Sequence, residues 1–111
     1  MGVLKMLKRN CTYHISEDRF DRAMFIMTTI GIGDVIKEQR RVDEQGRVSW
    51  QCLTNTGVIL VMNEKKDMVI TLYIAQQPKV SAMYEGNTPS WVIKLVRKNK
   101  ALALEQNKYR G

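Results

Sequence analysis

With 111 residues the chain has room for one domain around one core, and its 44% hydrophobic and 26% charged residues suit a folded globule rather than a disordered segment. The longest apolar stretches, such as Val58-Ile59-Leu60-Val61-Met62, are far too short to cross a bilayer, and Lys5, Lys8 and Arg9 interrupt the apolar residues at the start, unlike a secretory signal. The net charge of +7 is unevenly spread, +3 over residues 1–14, −1 over 15–88 and +5 over 89–111, so two cationic ends flank a near-neutral body.

In chain order, Ser16 followed by Glu17 and Asp18 marks a helix start, a hydroxyl N-cap with acids in the first turn. Phe20, Ala23, Met24, Met27 and Ile30 then recur at the spacing of one apolar helix face. Gly31 and Gly33 punctuate it, and residues 35–40 read either as a second short helix capped by Asp34 or as the approach to a strand at Arg40-Arg41-Val42. Beyond the turn Asp43-Glu44-Gln45-Gly46 the period changes to two, with Val48, Trp50 and Cys52 on one side. Further turns at Asn55-Thr56-Gly57 and 63–67 separate the apolar run 58–62 from Met68–Ala75, the clearest strand in the chain. Three or four closely connected strands imply an antiparallel meander over about 40–75, and strands apolar on both faces call for helices over the sheet. A short helical turn follows Pro78, and Thr88-Pro89 opens a basic C-terminal helix over about 89–105, with Trp91, Val92, Leu95 and Val96 directed inward. The expected fold is α+β, one domain spanning 1–111: an N-terminal helix or helices, the meander, and the basic helix.

Two cysteines, Cys11 and Cys52, and one histidine, His14, are too few for a zinc site, so no metal or cofactor is expected and the thiols read as reduced. The methionines, among them Met24, Met27, Met62, Met68 and Met83, read as core fillers. Lys94, Arg97, Lys98 and Lys100 on the last helix, with Lys5 and Lys8 at the start, form the candidate nucleic-acid-binding set, because clustered cations neutralise phosphates. A second constellation combines His14, before the first helix, with Arg19 and Arg22 three residues apart on it, and Thr71 with Tyr73 on one face of the last strand. Histidine and tyrosine exchange protons and arginines neutralise a phosphate, the inventory of metal-free RNA cleavage through the ribose 2′-hydroxyl. Each member also has a plain structural role: a residue beside a cap, a solvated helix face, strand formers.

The stretch Tyr13-His14-Ile15-Ser16-Glu17-Asp18-Arg19-Phe20-Asp21-Arg22, the segment Gly31-Ile32-Gly33-Asp34-Val35-Ile36 and the strand Val69-Ile70-Thr71-Leu72-Tyr73 resemble small bacterial and phage proteins of the RelE-like and colicin-D-like ribonuclease superfamily. The resemblance covers about residues 13–74. It implies a cytoplasmic protein of a bacterial host, a compact domain with a histidine and basic residues at an N-terminal helix, and a short antiparallel sheet. It also implies catalytic roles for His14, Arg19, Arg22, Thr71 and Tyr73 toward RNA, without a metal. The chain departs from that pattern at Thr29-Ile30-Gly31, where relatives carry an arginine-glycine step, and in the basic helix beyond the matched region. Two other readings stand beside it: a binding or inhibitor protein whose basic helix engages nucleic acid or an acidic host protein, and a homo-oligomeric assembly protein.

Overall fold

A computed structural model describes residues 3–5 and 12–110. Strands β1 (Val3–Lys5) and β2 (Thr12–His14) precede a 3-10 turn (Glu17–Arg19), helix α1 (Phe20–Phe25) and a π-helical turn (Ile26–Ile30). Then come β3 (Val35–Val42), β4 (Val48–Thr54), β5 (Val58–Asn63) and β6 (Met68–Ile74), followed by α2 (Gln77–Met83) and α3 (Ser90–Arg110). The class is α+β with an antiparallel meander, β3 through β6, and a C-terminal helix.

Residues 35–42, open to either reading from sequence, are strand. Half-buried and exposed positions alternate from Val35 to Arg40, and the strand pairs with β4 from Val35–Thr54 to Val42–Val48. The sheet also extends beyond the meander that the sequence indicates. β2 lies parallel to β6, with Thr12 opposite Met68 and Tyr13 opposite Val69, and β1 lies antiparallel to β2. Three-residue strands carry too little period-two pattern to be read locally; pairing, of β2 with β6 and of β1 with β2, is what makes them strands.

The chain leaves β2 on one side of the sheet and enters β3 at the opposite edge, so α1 and the π-helical turn cross one face. There Ala23 and Ile26 bury against Tyr13, Cys52, Leu60, Met62, Val69 and Leu72. The other face carries α2 and α3, whose Val80, Met83, Val92 and Val96 close on Leu53, Ile59 and Ala75. β5 is buried on both sides, as its continuous apolar run requires: Leu60 faces one core and Ile59 the other, each contributing roughly 1.5–3 kcal/mol of apolar transfer. Among the described residues no helix is long and apolar enough to cross a membrane.

Two expectations need correction. Met24 is exposed, and Ile26 takes the core position instead. The Gly31 N–H donates to the Ile26 carbonyl at 2.8 Å, five residues back, so the turn that follows α1 is wider than α-helical; Met24 precedes it, at the edge of the Phe20, Ala23, Met27 and Ile30 stripe and on the side away from Ile26. Gly31 ends the turn at φ +88, where a side chain is strained. Trp91 is half exposed, whereas Val92 and Val96 are buried; α3 turns a 92/96/99 stripe inward, and Asn99 rather than an apolar residue completes it. Cys52 is a buried reduced thiol that donates to Glu38 Oε2 at 3.5 Å; Cys11 lies outside the described residues.

Candidate functional site

The outer face of α3 follows from its inner one. With Val92, Val96 and Asn99 against the sheet, the 100° step of a helix sends Lys94, Arg97 and Lys98 to the opposite side, and all three are exposed. Lys100 is exposed too, but stands on the flank facing α2. Trp91 borders the other flank, on the side of Lys98 but two turns away along the helix. The ion pairs among the described residues, Arg47–Asp43 and Lys66–Glu38, lie elsewhere, so the α3 cations face solvent uncompensated. Lys5 has its backbone in β1, opposite Thr12, and Lys8 lies outside the described residues.

One anchor holds α3 in this orientation. Asn99, 2% exposed, donates its amide to the Thr56 carbonyl at 2.8 Å in the β4–β5 turn. Gly57 lies directly beneath, and a Cβ there would strike the Asn99 amide and Leu95. Its φ of +82 also favours glycine, so turn shape and close helix approach make the same demand.

On the flank of Lys100 a cleft of about 580 Å3 opens between the end of β6, the start of α2 and the middle of α3. Ile74, Ala75, Val96 and Ala103 form its apolar wall, while Arg97 and Lys100 bring the cationic face to its edge. Gln76 and Gln77, which sequence reading passed over, stand exposed at its mouth. The only local cue to them is their place between a strand and Pro78, where a chain turns.

The second constellation divides. Arg22, exposed on α1, donates from Nη2 to the Thr71 hydroxyl at 3.2 Å across 49 residues of chain, so these two candidates do meet. Arg19 is exposed at the end of the 3-10 turn. The backbone of His14 is one residue beyond the Tyr13–Val69 pair, beside β6. Tyr73 instead packs with the α2/α3 core and donates to Gln51 Oε1 at 3.0 Å, away from α1. Burial raises its hydroxyl above the ordinary value of 10.0, with Arg41 pulling weakly the other way, so at neutral pH Tyr73 is a proton donor rather than a base. Lys79 on α2 is lowered by burial and by Arg41, which gathers positive charge on this same face of the sheet.

Among the described residues no three His, Cys, Asp or Glu side chains cluster as a metal site would require. No family model, curated protein or solved structure matches the chain.

Proposed function

We propose that this protein, a small phage- or prophage-type factor, binds single-stranded nucleic acid, RNA foremost, through the outer face of α3. The observation that carries the reading is the stripe of Lys94, Arg97 and Lys98, unpaired with any carboxylate among the described residues and exposed, with Lys100 and the half-exposed Trp91 on its flanks. Cations along a groove or helix track phosphates, and an aromatic ring beside them gives a base a surface to stack on. Replacing Lys94, Arg97, Lys98 and Lys100 together by glutamine weakens binding to a fluorescent oligouridylate. It also flattens the plot of log affinity against log salt by about 0.7 for each phosphate that the protein no longer neutralises. An unchanged slope removes the reading and favours an acidic protein partner or a second copy of the chain on this face.

The Arg22–Thr71 hydrogen bond supports a second reading, metal-independent RNA cleavage of the RelE-like kind. There Arg22 and Arg19 hold the scissile phosphate, His14 takes the proton from the 2′-hydroxyl as it attacks phosphorus, and the P–O5′ bond breaks as the leaving 5′-oxygen takes a proton from water. Its measurement is incubation of total RNA in EDTA with the wild type, His14→Ala and Arg22→Ala. Cleavage by the wild type that both substitutions abolish supports it, and intact RNA in all three reactions sets it aside.

A further inference from the structure

We infer that the cleft between β6, α2 and α3 receives one unpaired base of the bound strand, with the adjoining phosphate on Arg97 and Lys100, an inference that rests on the α3 binding reading above. Three observations converge. At about 580 Å3 the cleft has the size of small-molecule sites, and it is lined as such sites are, by a mainly apolar wall with a few polar groups. Ala75 and Ala103 are what keep it wide: both are small, on facing elements, where larger side chains would close the space. Two cations and no carboxylate lie on its lining, so its occupant is an organic anion whose charge sits at the edge and whose apolar part goes in.

Continuity with the α3 stripe narrows that class. Arg97 belongs to both surfaces: it lines the cleft and stands one turn from Lys94 on the outer face. A polyanion that follows Lys98, Lys94 and Arg97 is therefore led to Lys100 and the cleft mouth, where its next base has an apolar wall to lie against. Gln76 and Gln77 there carry amide donors and acceptors for the edge of a base, whatever its identity. An aliphatic acid would use the wall and the cations but leave those amides without a role.

Three probes test the assignment on the full-length protein: uridine 5′-monophosphate, octauridylate, and an abasic octamer with the same backbone. The nucleotide is expected to shift backbone amide resonances at Ala75, Gln77 and Ala103. The abasic octamer is expected to bind about tenfold more weakly than octauridylate at one salt concentration, the consequence of removing the bases that stack. Ala103→Leu, which narrows the cleft and suits a helix, should reduce octauridylate affinity to that of the abasic strand while leaving the salt slope unchanged. Gln77→Ala on the exposed rim serves as a second variant, read by the same nucleotide titration. Equal binding of the abasic and normal octamers, or displacement of the probe by decanoate and not by the nucleotide, overturns the base assignment while the α3 reading stands. No binding of octauridylate by the wild type overturns both.

Discussion

Thr54 shows how much one hydroxyl can organise. It is fully buried at the end of β4, accepts the Val58 N–H at 3.2 Å, and lies 2.9 Å from the Thr56 hydroxyl, which itself donates to the Gly31 carbonyl at 2.8 Å. Each hydroxyl has one proton, and that of Thr54 reaches the Val58 carbonyl at 2.9 Å as well as Thr56, so Thr54 closes the β4–β5 turn on Val58 while Thr56 ties that turn, beneath α3, to the end of the π-helical turn at Gly31. Thr54→Val preserves shape but strands the buried Val58 N–H, and is expected to cost about 1–3 kcal/mol, read as a lower urea midpoint at constant slope. Thr54→Ser keeps the hydroxyl and should lose clearly less; equal losses would assign the cost to packing rather than to hydrogen bonding. Lys66 works differently. It sits at positive φ in the β5–β6 turn, yet its ammonium lies 3.8 Å from the Trp50 ring centre and 2.8 Å from Glu38, so these two interactions offset the backbone strain.

The β3–β4 turn carries a pH dependence with a definite sign. Asp43 accepts the backbone N–H groups of Gln45 and Arg47 and pairs with Arg47 Nε at 2.8 Å. The Arg47 backbone bond foremost, helped by the Arg47 side chain and the Gln45 bond, holds its carboxyl below the ordinary 3.8, against desolvation, the second-largest effect, which raises it. A carboxyl lowered in the folded state stabilises above its ordinary value and loses that contribution as pH falls through the lowered one. The melting-temperature gap between wild type and Asp43→Ala should therefore be constant from neutral pH to about 5 and narrow below 3.8. A gap that widens in acid would contradict the assignment. This turn was legible in the sequence, because Asp-Glu-Gln-Gly has local chemistry, and so were β4 to β6 and α3, whose periods are long enough to read. What was not legible depends on distant partners. β1 exists through its pairing with β2 and β2 through its pairing with β6, and Trp91 is turned outward by the Asn99 anchor to a loop 43 residues away. In the same way the α3 cations could be picked from sequence, whereas the cleft beside them needs the end of β6 and the start of α2 brought to one helix flank.

At the scale of the molecule, two cores share one sheet, and this sets how it comes apart. α1 and the π-helical turn cover one face and α2 with α3 the other, but both cores take their floor from the same strands: β5 gives Leu60 to one and Ile59 to the other, and β4 gives Cys52 and Leu53. Losing either helical layer exposes half of every central strand, so neither layer is expected to persist without the other. The two tryptophans happen to report the two sides. Trp50 packs against the α1 core under Lys66, and Trp91 rides half exposed on α3. Single-tryptophan variants, Trp50→Phe and Trp91→Phe, should therefore give urea transitions that coincide with each other and with the loss of far-ultraviolet circular dichroism. Val96→Ala, buried at 3% exposure in the α3 core, should move all three midpoints down together, by a large-to-small cost of order 1–3 kcal/mol. If it shifts the Trp91 transition alone, α3 is a separately melting layer. The binding face would then belong to an element that can detach from the sheet, and the cleft, which needs both β6 and α3, would exist only while that element is docked.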